Sequence, residues 1–144
     1  MIIRAVNVSL EKPQENYIGT YAPTSTDDHT LDFTKDAVYP VYALRKNGEN
    51  TEYFLLPDSR PYFFWVPSGY FEIEEANHPS GWKTDFYTEG ILQSSYPSLF
   101  DWETQEGIIG NNTDAVQLYM NEADNDKTFP QQNRIDELNS QEII

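Results

Sequence analysis

The chain has 144 residues, with 24 Asp and Glu against nine Lys and Arg, and so carries a net charge of −15 at neutral pH. This length suits one domain with a single core, and so large a negative charge excludes binding to nucleic acid or to an anionic membrane surface by electrostatic attraction. The sequence contains no cysteine, which excludes disulfides and thiolate metal sites and fits a reducing compartment.

The acidic residues are concentrated in the second half of the chain. Residues 1–67 hold nine Asp and Glu against six Lys and Arg, whereas residues 68–144 hold fifteen against three. An anionic surface of this kind repels nucleic acid and speeds the encounter with basic proteins. We therefore expect a basic protein as the partner, and neither nucleic acid nor a membrane.

The amino terminus predicts no export signal, because Arg4 interrupts its apolar stretch after three residues. No window approaches the roughly 20 apolar residues that a membrane-spanning helix needs. We expect a cytoplasmic protein.

Strand patterns begin at the amino terminus. Residues 2–10 alternate as a strand does, whereas residues 17–36 are ambiguous between short strands and a loop. Two aromatic-rich segments between Val38 and Asp58 flank an Asn-Gly dipeptide, which is typical of hairpin turns.

Two more strands are predicted at residues 62–66 and 70–75, and the alternation of the second places Phe71 and Ile73 inward. The aromatic run of residues 62–66 is typical of a strand in the core. Short strands at this spacing predict a mainly β fold, either an antiparallel SH3-like barrel or a small sandwich.

The second half of the chain predicts one helix. Residues 82–86 fit a short strand or an anchored loop, and residues 96–102 fit a helical turn. Residues 112–123 have a cap at Asn112 or Thr113, and their apolar residues recur at helical spacing. This stripe consists of Val116, Tyr119, Met120 and Ala123. We expect residues 1–123 to form one β-rich domain with a single C-terminal helix, and residues 124–144 to be an acidic polar tail that is either a loosely docked short helix or disordered.

Few residues suggest catalysis or metal binding. His29 and His78 lie in polar loops without metal-ligand spacing, and a calcium loop starting at Asp124 would have Phe129 where glycine is needed. Phosphate-binding and serine-hydrolase motifs are absent from the sequence. We expect that the protein binds no metal and no cofactor and that it is not an enzyme. A carboxylate-based hydrolase using Glu72 and Glu74 is the less favoured alternative, and it needs two carboxyls that face each other across a cleft.

The segment from Phe100 to Glu106 mixes aromatic and acidic residues as a surface that binds Arg and Lys does. Trp102 lies at its centre, and either it anchors a partner or it fills the edge of the core. The first candidates for partner contact are Asp101, Trp102, Glu103, Glu106, Asp114, Glu122, Asp124 and Asp126. The second candidates are Glu72, Glu74 and Glu75.

A family pattern spans the middle of the chain. It comprises Val41-Tyr42-Ala43-Leu44, the hairpin, Tyr53-Phe54-Leu55-Leu56-Pro57, Trp65-Val66-Pro67-Ser68, Phe71-Glu72-Ile73, Trp82, Tyr96-Pro97 and Asp114-Ala115-Val116. Over residues 39–120 this pattern resembles the small immunity proteins of bacterial contact-dependent growth inhibition and related polymorphic toxin systems.

The resemblance implies a cytoplasmic protein that binds one cognate toxin domain and blocks its active or substrate-binding site, as a monomer in a 1:1 complex. Many such toxins are nucleases, whose grooves are basic because they bind phosphates. The alternative is an acidic mimic of nucleic acid that inhibits a DNA-binding enzyme, which would need carboxylates spaced like phosphates.

Overall fold

A computed structural model of the chain describes residues 1–6, 33–58 and 63–141. These residues form eight strands: β1 (Ile2–Ala5), β2 (Val38–Pro40), β3 (Ala43–Asn47), β4 (Asn50–Leu55), β5 (Phe64–Pro67), β6 (Phe71–Glu75), β7 (Lys83–Thr88) and β8 (Ile91–Ser95). They also form the helices α1 (Trp102–Ile109), α2 (Thr113–Asp124) and α3 (Gln132–Gln141), with 3₁₀ turns at Ser68–Tyr70 and Pro97–Phe100.

The strands make two antiparallel sheets, which confirms a mainly β fold. The three-stranded sheet has the order β2-β1-β6, and the five-stranded sheet has the order β5-β4-β3-β8-β7. In the part of the chain that the structure describes, neither sheet closes into a barrel, so the SH3-like barrel is not confirmed.

The predicted hairpin is formed by β3 and β4. Asn47 pairs with Asn50, so Gly48 and Glu49 make a two-residue loop. Gly48 has a φ of 63° there, a conformation that costs glycine least among the residues.

The first core lies between the two sheets. Ile3 and Ala5 of β1 share a buried cluster with Leu44, Tyr53 and Val66 of the five-stranded sheet. Phe33 joins this cluster and packs edge-to-face on Phe71 at 5.5 Å between ring centroids.

The second core lies on the other face of the five-stranded sheet, under α1 and α2. Phe54 and Trp65 of the sheet are buried with Ile108 of α1 and with Tyr119 and Ala123 of α2. Consecutive residues of β5 are therefore buried on opposite faces, which confirms the core strand that its aromatic run predicts.

Helix α3 packs on strand β2. Ile135 is buried with Ile2 and Val38, and the Val38 amide donates to Asn139 Oδ1 at 2.8 Å. The predicted tail thus contains a helix that contacts the three-stranded sheet through both apolar and polar groups.

Several local predictions are confirmed. The second-half helix begins and ends within one residue of its prediction, with Asn112 capping it by accepting from the Ala115 amide. Residues 97–100 form the predicted helical turn, and residues 83–88 form the strand that was one of two expectations there.

Two predictions are wrong. The described chain has three α-helices where the predicted fold has one: α1 was not predicted, and α3 lies in the tail, where a loosely docked short helix was one of two expectations. Ile73 was placed inward but is 55% exposed, on a strand at one edge of the three-stranded sheet, whereas Phe71 of the same strand is buried as predicted.

Some predictions concern residues that the structure does not describe. The far end of the first predicted strand, at residues 7–10, lies outside the described residues, as do residues 17–32 and His29. Among the helices of the described residues, none is long and apolar enough to cross a membrane.

Candidate protein-binding site

The first turn of α1 is fixed by Asp101. Its Oδ2 accepts from the Thr104 amide at 3.0 Å and from Thr104 Oγ1 at 2.8 Å. A carboxylate at this position satisfies free amides of the first turn and interacts favourably with the helix dipole. Asp101 therefore has a structural role as the cap that fixes the start of α1, directly before the next residue of the site.

That next side chain is Trp102, which is 64% exposed. Glu103 and Glu106 are also exposed, whereas Gln105 and Ile108 are buried on the opposite side of the helix. Residues three and four positions apart are neighbours on a helix surface, so Glu106 lies next to both Trp102 and Glu103. We name Trp102, Glu103 and Glu106 the α1 face. Trp102 is thus exposed rather than filling the edge of the core.

Gln105 fastens the back of α1 to the five-stranded sheet. Its Oε1 accepts from Trp65 Nε1 at 3.4 Å, and its Nε2 donates to Gln93 Oε1 at 3.2 Å and to the Leu99 carbonyl at 3.1 Å. Because these groups are buried, their hydrogen bonds favour one orientation of α1 over others. The α1 face is therefore presented by a rigid support.

Strand β7 lies beside α1. Burial raises the pKa of the Tyr87 phenol, the Glu106 carboxylate raises it further, Arg45 partly opposes this effect, and Asp101 makes a smaller contribution in the same direction as Glu106. The Lys83 ammonium lies 4.6 Å from the centroid of the Phe100 ring, just before α1. Lys83 and Tyr87 of β7 thus lie on the same side of the sheet as the acidic groups of α1.

Asp126 has a structural role that the sequence did not reveal. Its carboxylate accepts from Thr128 N and Oγ1, from the Gly81 amide and from the Tyr96 hydroxyl, at 2.6 to 2.9 Å. Burial opposes ionisation, but these hydrogen bonds outweigh it and hold the pKa of Asp126 at about 2. This half-buried carboxylate is therefore engaged by hydrogen bonds to its own protein.

The candidates on α2 are spread along the helix. Asp114 is exposed in the first turn, and Asp124 is exposed at the end. Glu122 is half-buried and accepts from the Ser98 hydroxyl.

The second candidates lie on β6, in the other sheet. Glu72 is exposed, but Glu74 forms an ion pair with Arg4, and Glu75 forms one with Arg134 of α3. The structure does not bring these residues together with the α1 face, because β6 belongs to the three-stranded sheet.

Sequence reasoning missed Phe86 and Tyr87 of β7. Phe86 is 64% exposed, the same fraction as Trp102. The signal was present, because Asp85 and Glu89 flank these two aromatics much as acids flank Trp102. It was overlooked because the weak strand pattern left this segment without an assigned face.

Within residues 1–6, 33–58 and 63–141, no group of three or more His, Asp or Glu side chains is arranged to hold a metal ion. No protein-family model, curated protein or solved structure matches the chain.

Proposed function

We propose that the chain is a cytoplasmic immunity protein that binds a cognate basic toxin domain, in the first instance a nuclease, and covers its active or substrate-binding groove. In this proposal the α1 face makes the central contact.

The observation that carries the proposal is the exposure of Trp102 beside the exposed carboxylates of Glu103 and Glu106, on a helix whose other side is hydrogen-bonded to the sheet. Tryptophan is enriched among the residues that dominate binding energy at protein interfaces, and an indole ring also attracts Arg and Lys side chains. Glu103 and Glu106 would pair with the same cations at the rim. An aromatic anchor with an acidic rim suits a basic protein surface.

The charge of the whole molecule supports the same partner. A groove that binds phosphates must be basic, and a chain with a net charge of −15 is attracted to it over distance. Such attraction raises the association rate and discriminates against neutral or acidic proteins.

The arrangement of the carboxylates favours a compact acidic binding patch rather than a mimic of nucleic acid. Asp126 and Glu122 are engaged by hydrogen bonds within the protein, and Glu74 and Glu75 are in ion pairs. Fewer carboxylates are then left to form a long row with phosphate spacing, so we retain the mimic only as an outcome of the test.

The test uses the protein domain encoded by the gene next to that of this chain. We expect it to be basic, to form a 1:1 complex with this chain, and to stop growth unless this chain is co-expressed. Trp102→Ala should weaken the complex by roughly 30-fold, and Glu103→Lys with Glu106→Lys should slow association by roughly tenfold at low salt.

The matched control is the double variant Glu49→Lys and Glu137→Lys. It changes the net charge by the same amount at exposed positions on the hairpin loop and on α3. If the control slows association as much as the α1 variant does, only net charge matters and the α1 face is not the site. The mimic would instead be indicated if this chain competed with duplex DNA for a DNA-binding enzyme and did not bind the adjacent-gene domain.

A further inference from the structure

Strand β7 is at the edge of the five-stranded sheet, and among the described strands it pairs only with β8. All its residues are exposed except Tyr87, which is half-buried. The outer edge of a strand presents backbone N–H and C=O groups that can pair with another strand.

Two side-chain contacts show which backbone groups point outward. The Phe86 amide donates to Asp85 Oδ1 at 2.8 Å and so does not point toward β8. Thr84 Oγ1 and Ser94 Oγ, on residues directly opposite each other, are 2.7 Å apart, as fits a pair without backbone hydrogen bonds, where side chains approach most closely. Thr84 and Phe86 are two residues apart, so both direct their backbone groups to the open edge.

The two faces of β7 differ in chemistry. Asp85 pairs with Gln93, whose side chain bonds Gln105 of α1, so Asp85 lies on the face that carries α1. Glu106 and Asp101 are near Tyr87 on this surface. Phe86 lies on the opposite face and is largely exposed.

We propose that β7 accepts an extended segment of the basic partner as an additional strand, with basic side chains on the α1 side and apolar side chains against Phe86. This inference rests on the proposed function and names how the same surface is used. A second copy of this chain is disfavoured as the occupant, because pairing two β7 strands would bring Asp85 and Glu106 of both copies together.

In the free protein, Asp85 accepts the hydrogen bond that the incoming strand would accept in the complex. Its carboxylate occupies the outward Phe86 amide in the free protein, so that amide is satisfied without a partner. An incoming backbone carbonyl would replace it, and the released carboxylate would then pair with a basic side chain of the incoming strand.

The test uses two synthetic peptides, acetyl-(Lys-Val)₄-amide and acetyl-(Lys-Pro)₄-amide. They carry equal charge, but proline lacks the N–H groups and cannot extend a sheet. On the protein side, Thr84→Pro removes one outward N–H, and Thr84→Ala is its matched control because both lose the hydroxyl that contacts Ser94. Edge strands tolerate proline, so Thr84→Pro should fold.

We expect the Lys-Val peptide to bind Thr84→Ala and to bind Thr84→Pro at least tenfold more weakly, with the Lys-Pro peptide weak on both. Amide hydrogen exchange at Thr84 and Phe86 should slow when the Lys-Val peptide binds the unmodified protein, a measurement that does not depend on the folding of a variant. Equal affinity of both variants, equal affinity of both peptides, or unchanged exchange would overturn the proposal, as would pairing of β7 with a second copy.

The outcomes separate this inference from the proposed function. If Trp102→Ala weakens the complex with the adjacent-gene domain while Thr84→Pro leaves it intact, strand addition is wrong and the immunity proposal stands. If the peptide binds β7 but the adjacent-gene domain does not bind the chain, the immunity proposal fails and the strand site remains.

Discussion

Asp126 shows why the role of a single acidic residue depends on its neighbours. In the sequence it is one of many carboxylates in an acidic segment, and charge alone makes it a contact candidate. In the structure it joins the loop at Gly81, the Tyr96 hydroxyl and the turn at Thr128. Donors that are distant in the chain therefore decide its role, and no local pattern indicates them.

The replacement Asp126→Asn should lower the free energy of unfolding by about 1 kcal/mol at pH 7, after allowing for partial solvent screening. The folded pKa of about 2 lies below the ordinary value of 3.8, so the carboxylate stabilises the fold above pH 4 and loses this effect as the pH falls toward 2. Urea unfolding of the variant and of the unmodified protein between pH 7 and pH 2 measures the loss of stability at pH 7 and its dependence on pH. If the variant loses stability as steeply as the unmodified protein over this range, Asp126 does not carry the dependence.

At the scale of elements, α2 was predictable and α1 was not. Helix α2 has a cap and an apolar stripe, so its sequence specifies both its start and its buried side. The buried side of α1 consists of Gln105 and Ile108, and the polar contacts of Gln105 become visible only when the sheet is in place. The exposure of Trp102 could not be predicted for the same reason.

Below α1 the sheet carries a buried ion pair. Arg45 donates to both carboxylate oxygens of Glu52 at 2.8 and 3.1 Å, and its guanidinium lies 4.3 Å from the centroid of the Trp65 ring. The two residues face each other across the β3–β4 hairpin, so their proximity follows from the hairpin register.

The replacement Arg45→Met should destabilise the protein by about 3 to 5 kcal/mol, because it leaves the Glu52 carboxylate buried without this partner. The double variant Arg45→Met and Glu52→Leu should recover most of the loss, since no charge is then left buried. Denaturant unfolding of the single and double variants measures the difference. A double variant as unstable as the single one would show that the pair itself, rather than the buried charge left without Arg45, carries the stability.

For the whole molecule, a net charge of −15 implies self-repulsion in the folded state. Raising NaCl from 10 to 150 mM shortens the screening length from about 30 to about 8 Å. The melting temperature should therefore rise by several degrees, and by less in the Glu103→Lys and Glu106→Lys variant, which has a smaller net charge. Scanning calorimetry at the two salt concentrations checks this, and an equal rise in both proteins would mean that repulsion is not the cause.

The sequence by itself determined the properties that depend on composition and on neighbours along the chain. These include the acidic second half, the mainly β character, the β3–β4 hairpin with its Asn-Gly signal, and the capped helix α2. Each follows from residues a few positions apart, because turns, caps and periodicity are local effects.

Only the tertiary structure decided how these parts are arranged and which acidic side chains remain exposed. It placed α1 on the sheet, paired Glu74 with Arg4 and Glu75 with Arg134, engaged Asp126, and left β7 at an edge. The physical reason is that burial, pairing and edge position depend on contacts between residues that are far apart in sequence, and a carboxylate has the same appearance in the sequence whether it is paired or exposed.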